Sequence, residues 1–228
     1  MKIGIIIFPG SNCDHDMEYA INNLLNQEVV RLWHQSSDLQ DCDIIAIPGG
    51  FSYGDYLRSG AIAKFSPIME RVIKFAHNGG FVFGICNGFQ ILCESGLLPG
   101  TLLRNKSQKF ICKNQFIKAE NTNSTMTKYI SNPVLNIPIA HAEGLYYASD
   151  EDLRDIIQNE QIIWRYCDEN GNLNENSNPN GSIMNIAGIC NKEKNVFGMM
   201  PHPERAADAE LHNTDGLQIL NSIIEYYS

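Results

Sequence analysis

A cysteine set between small residues, in Gly84-Ile85-Cys86-Asn87-Gly88, is the part of this chain best equipped for chemistry. Apolar Phe81-Val82-Phe83 enters the segment as a strand, and Phe89-Gln90-Ile91-Leu92 leaves it in helical register. Glycines around such a strand-to-helix turn allow a sharp, strained bend that exposes the side chain between them. The helix that follows aims its first N–H groups at the sulfur and favours the thiolate, the nucleophilic form. A buried cysteine beside a glycine turn would look similar, so the pattern needs a base before it reads as catalytic. Pro201-His202-Pro203-Glu204-Arg205 supplies one, after a strand-like Val196–Met200. Residues i and i+2 of an extended segment face the same side. Glu204 is therefore placed to orient His202, as a nucleophile–base pair requires of its third member.

A second loop would serve the same chemistry. Pro48-Gly49-Gly50-Phe51-Ser52-Tyr53-Gly54-Asp55 follows the apolar Ile44–Ile47, and no Lys-Ser/Thr follows its last glycine. A phosphate loop is excluded on that ground. Backbone N–H groups near Gly49–Phe51, with Gly50 and Phe51 foremost, would pair with that of Asn87 as an oxyanion hole. Each such donor is worth about 3 kcal/mol of transition-state stabilisation. An ordinary tight turn is the plainer alternative. The loop and the cysteine turn nevertheless both follow strands, and ligands of open α/β sheets bind at the carboxyl ends of strands. Pro9-Gly10-Ser11-Asn12 belongs to the same edge, where it is expected to cap the first helix.

These residues need a scaffold, and the hydrophobic pattern describes one. Ile3–Phe8 is a continuous apolar run ended by Pro-Gly, the mark of a strand buried on both faces. Met17, Ala20, Ile21, Leu24 and Leu25 recur at helical spacing. Val29–Leu32 and Ile44–Ile47 read as strands. Pro67 opens a helix that Asn78-Gly79-Gly80 closes. The alternation predicts a single α/β domain over 1–228, with an open, doubly wound, mostly parallel sheet flanked by helices. Residues 101–165 are less regular, with strands expected near Phe110–Lys118 and Ile137–Ala140 and a helix over Asp150–Asn159. The Asn- and Gly-rich 168–182 stretch is expected to be a surface loop. Ile186–Cys190 and Val196–Met200 pair as strands that deliver His202, and Leu217, Leu220, Ile223 and Ile224 mark a closing helix.

Composition narrows the class. With 228 residues, 43% of them hydrophobic, the chain has material for one large core. A formal net charge of −9 argues against non-specific binding to nucleic acid or to an anionic membrane. Seven cysteines without a C-x-x-C pair suggest a reducing compartment and no metal site. The apolar N-terminus meets Pro9-Gly10 too soon for a signal peptide, and no run has the length of a membrane span, so a cytoplasmic location is expected.

With Cys86, His202, Glu204 and the glycine loop assembled, the chain resembles the class I (triad) glutamine amidotransferases, whose fold is flavodoxin-like. Within them it looks most like the glutaminase subunits of phosphoribosylformylglycinamidine synthases, enzymes of de novo purine biosynthesis. FPGSNCDHD (8–16), PGGFSYGDYLRSGAIA (48–63), GICNGFQIL (84–92), HAEG (141–144) and GMMPHPERA (198–206) carry the likeness from end to end. The second and last are far more specific than the bare C-x-G and H-P-E of the wider superfamily. Ala142 departs from the glycine usual in H-G-E-G, and its methyl could crowd a bound substrate carboxylate.

The resemblance implies that Cys86 is nucleophile, His202 general base and acid, and Glu204 its orienter. Gln90 would hold the amino-acid end of L-glutamine, with His141, Ala142 and Glu143 in the pocket wall. It also implies a PurL-like synthetase subunit that takes the ammonia and a small PurS-like bridging subunit. ATP and Mg are expected in the synthetase and no cofactor in this chain, which has no nucleotide motif. His15, His34, His77 and His212 have no partner pattern and are expected to be solvated. Arg58 and the Arg104, Lys106, Lys109 cluster could face a partner. Rival readings are a glutaminase of another biosynthetic pathway, a stand-alone cysteine hydrolase of similar fold, and a non-catalytic regulatory subunit.

Overall fold

The computed structural model describes residues 1–227. Strands β1 (Lys2–Ile7), β2 (Glu28–Trp33), β3 (Ile44–Ile47) and β4 (Phe81–Ile85) come first, followed by β5 (Thr101–Leu103), β6 (Ile111–Ala119), β7 (Val134–His141) and β8 (Leu145–Tyr147). β9 (Ile162–Tyr166), β10 (Ile186–Cys190) and β11 (Val196–Met199) complete the set. The helices are α1 (Asp14–Glu18), which runs on as a wider π-type turn over Tyr19–Leu24, α2 (Pro67–His77), α3 (Asn87–Glu94), α4 (Asp150–Gln158) and α5 (Asp215–Tyr227). The sheet has nine strands in the order β2-β1-β3-β4-β11-β10-β9-β6-β7, and β5 and β8 form a separate two-stranded pair.

From β2 to β11 every pairing is parallel. These strands read as unbroken apolar runs because both faces are covered; β1, β3, β4 and β11 are almost wholly buried. From β11 outward each pairing is antiparallel. This half comes from the stretch with the weaker pattern, and β7 alternates buried and half-buried residues as a strand covered on one face does. Following the pairings across the sheet, β7 runs in the same direction as β11. The carboxyl ends of β1, β3, β4, β11 and β7 therefore lie along one edge, and every candidate site residue ends or follows one of them.

Two expectations change here. The far end of the 168–182 stretch is internal: Ser177, Asn180 and Ser182 are buried. Asn180 Nδ2 donates to the Gly144 carbonyl at 2.7 Å, and Ser182 Oγ accepts from the Tyr146 N–H at 2.9 Å. Dense Asn, Ser and Gly reads as a solvated loop, yet the same side chains serve as internal hydrogen-bond partners when an irregular segment is packed under another. His34, expected in solvent, is 5% exposed and hydrogen-bonded through Nδ1 to the Tyr53 hydroxyl at 2.6 Å, an anchor for the glycine loop.

Candidate active site

Cys86 links β4 to α3 with φ 51° and ψ −104°, a left-handed backbone unusual for a residue with a side chain. Neighbouring contacts hold it there. Its N–H donates to Met199 O of β11 at 2.8 Å. A Cβ at Gly84 would meet the Gly88 backbone at 2.6 Å, and one at Gly88 would run into the Ile47 carbonyl. Only glycine lets α3 start so close to β3 and β4. The Gln90 N–H already donates to Cys86 O at 3.1 Å, so α3 begins at the nucleophile and its first N–H, that of Asn87, has no partner within the helix.

His202 and Glu204 sit on the irregular turn after β11, at 1% and 4% exposure. The imidazole Nδ1–H donates to Glu204 Oε1 at 2.6 Å, which leaves Nε2 facing the sulfur of Cys86. Burial opposes the charged imidazolium, but the Glu204 carboxylate and the two nearby sulfurs outweigh it and raise the pKa well above the ordinary value. That Nε2 has no nitrogen or oxygen partner, as suits a base waiting for substrate. The triad expected from spacing is thus assembled from one turn on each of two adjacent parallel strands.

Around it lies a cavity of about 330 Å³ lined by Cys86, His202, Gly50, Phe51, Gln90, His141, Ala142 and Glu143 among others. The structure adds detail to the expectation in two places. The Phe51 N–H donates to Gly10 O at 3.0 Å, closing a bridge between Ser11 and Gly50. It is therefore committed, and of the three N–H groups expected to form an oxyanion hole those of Asn87 and Gly50 remain. Gly50 has φ +132°, and a Cβ there would meet the Asn12 nitrogen at 2.7 Å. Gln90 is also committed at both ends of its amide: Oε1 accepts from Asn87 Nδ2 at 2.8 Å and Nε2 donates to Glu143 O at 2.7 Å. It holds the pocket wall in place and lines the cavity, and the second N–H of its Nε2 is left for a ligand.

The wall itself is fixed by a residue that no pattern marked. Asn105, fully buried, donates to His141 O at 2.9 Å, and its Oδ1 receives the Gly144 N–H at 3.0 Å and His141 Nδ1–H at 3.1 Å. His141 is thereby held as the Nδ1–H tautomer, with Nε2 unpartnered. Burial and the neighbouring charge of His202 push its pKa down to about 4, so it is neutral at physiological pH. Glu143 turns to Ser59, whose hydroxyl donates to it at 2.8 Å. Ala142 is outside the left-handed region, so its methyl costs the backbone nothing, and its carbonyl receives the Asn105 N–H at 2.9 Å.

Asp55 is another lining residue unmarked by sequence. Burial, with the Glu143 charge in support and hydrogen bonds from Ser59 and Asn87 opposing, pushes its carboxyl up to about 6. Between about pH 4 and 6 the folded chain therefore holds a proton that the unfolded chain has released, and stability falls as pH rises through that window. Removing the charge in Asp55→Asn should leave a variant whose melting temperature gains on the wild type from pH 4 to pH 7. A constant difference between the two melting curves across that range would refute the assignment.

Cys13, His202 and Glu204 offer ligand atoms within 4.8 Å of one another. Arg205 Nη2 lies 3.0 Å from Cys13 Sγ and would repel a cation, while Glu204 is already bonded to His202. The cluster is built for protons. Of the basic residues, Arg58 pairs with Glu94 at 2.6 Å and Arg104 lines the cavity. His15, His77 and His212 are exposed, as expected. No helix among the described residues is long and apolar enough to cross a membrane.

Residues 1–221 match the model of the CobB/CobQ-like glutamine amidotransferase domain. The chain is 55% identical over 225 residues to phosphoribosylformylglycinamidine synthase subunit PurQ of Koribacter versatilis (strain Ellin345), which covers 98% of this chain and 97% of that one. The protein of the same name from Acaryochloris marina (strain MBIC 11017) is 52% identical, with 98% and 96% covered. Among solved structures, that of PurLQS from Thermotoga maritima superposes with a TM-score of 0.88 at 39% identity, over 100% of this chain and 99% of the other.

Proposed function

The chain belongs to the CobB/CobQ-like glutamine amidotransferase family, and from that membership we infer that it is the glutaminase subunit of a phosphoribosylformylglycinamidine synthase. It hydrolyses L-glutamine to glutamate and ammonia for de novo purine biosynthesis. The observation that carries the reading is the strained Cys86 turn beside a buried His202–Glu204 pair at one cavity.

The Cys86 thiolate attacks the side-chain amide carbon of glutamine, and the oxyanion that forms lies against the N–H groups of Asn87 and Gly50. His202 gives its Nε2 proton to the amine as the carbon–nitrogen bond breaks, and ammonia leaves a γ-glutamyl thioester. A water then loses its proton to the same Nε2 and attacks the thioester carbon, releasing glutamate and restoring the thiolate beside a protonated imidazole. Glu204 holds the imidazole throughout and stabilises its charged form. Ammonia passes to a PurL-like synthetase subunit, where ATP and Mg are used to convert formylglycinamide ribonucleotide into its amidine. A small PurS-like subunit bridges the two, and the assembly works in the cytoplasm.

Glutamate release from glutamine should be slow with this subunit alone and rise steeply when the synthetase and bridging subunits and the nucleotide substrates are added. Equal turnover with and without them would remove the ammonia-delivery role. No turnover in either case would favour a cysteine hydrolase acting on another substrate.

A further inference from the structure

Arg205 takes no step in the reaction described, yet its side chain reaches across the site to another loop. Its Nη2 donates to Cys13 Sγ at 3.0 Å and its Nε to Asp16 Oδ2 at 3.1 Å. Both residues lie where the turn after β1 enters α1. At its other end Arg205 is tied to the base, since its own N–H donates to His202 O at 3.1 Å. β3 and β4 stand between β1 and β11, so the guanidinium bridges past the strand ends that carry the glycine loop and Cys86. From Cys13 the contacts continue to the oxyanion hole. The Cys13 thiol donates to Asn12 Oδ1 at 3.4 Å. That asparagine lies against Gly50, where a Cβ would meet Asn12 N at 2.7 Å and Asn12 Oδ1 at 3.0 Å. Phe51 N–H to Gly10 O at 3.0 Å and Tyr53 N–H to Pro9 O at 2.6 Å fasten the same two loops together. Beside these bonds the Gly50 N–H has no partner among the described residues, and Gly50 lines the cavity.

We propose that Arg205 is a positioning residue that sets the Gly50 N–H of the oxyanion hole, acting through Cys13 and Asn12. The proposal rests on the glutaminase reading. An oxyanion donor works when it already points to where the charge will develop. Gly50 has φ +132° and no side chain, so its own bonds leave the peptide plane free to turn. The turn packed under it supplies the restraint, and Arg205 holds that turn to the segment that carries His202. The base and the oxyanion donor are thereby fixed relative to each other on two sides of the reacting carbon. Lysine would not serve, because a single ammonium replaces a planar fork whose N–H groups reach a sulfur and a carboxylate at once.

The test uses the assembled three-subunit complex with Arg205→Gln, Arg205→Lys and Cys13→Ala. Glutamate release gives kcat and KM. Glutamate γ-semialdehyde reads the oxyanion hole: the Cys86 thiolate bonds to its aldehyde carbon, and the carbonyl electron pair moves to the oxygen. Iodoacetamide alkylation of Cys86, followed peptide by peptide, expels iodide and forms no oxyanion, so it serves as the control. Losing an oxyanion donor costs about 10² to 10³ in kcat, and misaligning one should cost roughly 10-fold in both Arg205 variants, with KM within about twofold. Aldehyde affinity should fall by a similar factor while the alkylation rate holds. Cys13→Ala cuts the path one residue further on but keeps the Asp16 pair, and should lose about threefold in kcat and in aldehyde affinity. Wild-type kcat in Arg205→Gln would overturn the proposal, as would a fall in alkylation as large as that in aldehyde affinity. Full recovery in Arg205→Lys would also overturn it, since charge alone would then suffice. If Arg205→Gln does not assemble, Cys13→Ala decides by the same comparison. A wild-type complex that releases no glutamate would sink the glutaminase reading, whereas an active wild type with unaltered variants sinks only the role of Arg205.

Discussion

Cys86→Ala should abolish glutamine-dependent synthesis in the assembled complex and leave synthesis from added ammonia at its wild-type rate. The glutamine-dependent rate is expected to fall by roughly 10⁴-fold or more, the scale seen when a nucleophile is removed from a triad that acts as a unit. The reason is local. Cys86 is the one side chain placed by the strained turn between the first N–H of α3 and the free Nε2 of His202. A methyl in its place leaves the other parts without an acyl carrier. The substitution should fold, since the left-handed backbone at 86 is held by the Met199 and Gln90 hydrogen bonds, both made by main-chain atoms. Ammonia-dependent synthesis is the control that separates lost chemistry from lost docking. Retention of glutamine use at more than a few per cent of wild type would make another residue the nucleophile.

Gly49→Ala should cost less, but still heavily, by a different route. Its backbone has no positive φ, so the substitution strains no dihedral. The added methyl, however, would sit 2.7 Å from His202 Cε1, 3.1 Å from Cys13 Sγ and 3.4 Å from Cys86 Cβ. The buried ring must yield, and Glu204, which is bonded to it, is itself buried. A displacement near 1 Å of a catalytic group costs on the order of 10²-fold in rate. We expect kcat for glutamine to fall about 100-fold, with loss of stability near 1–3 kcal/mol from overpacking. Steady-state kinetics and urea unfolding of the variant check both figures. Wild-type kcat would show that the triad does not depend on this close packing.

The triad, the strand edge that carries it and the alternating parallel half of the sheet were legible in the residues. Gly84, Cys86 and Gly88, the His-Pro-Glu turn, and the apolar runs of β1, β3, β4 and β11 are local patterns. Local sterics and burial on both faces force them whatever the rest of the chain does. HAEG and the long loop motif added the pathway by resemblance. The outer antiparallel strands β6 and β7 were weaker, because a strand covered on one face alternates and is easily confused with loop. The inner end of 168–182 was missed for a related reason: Asn and Ser read alike whether water or Gly144 O satisfies them.

What sequence alone determined is which groups can react and in what order along the chain. Tertiary structure decided which amides and sulfurs are free to take part. Phe51 N–H was a plausible oxyanion donor until Gly10 O was found to hold it, and the Gln90 amide is shared with Asn87 and Glu143, which no spacing along the chain foretold. Cys13 and Arg205, 192 residues apart, meet beside His202 only because β1 and β11 end on the same edge. A hydrogen bond depends on atoms a few ångströms apart, and no spacing along the chain records which distant atom arrives first.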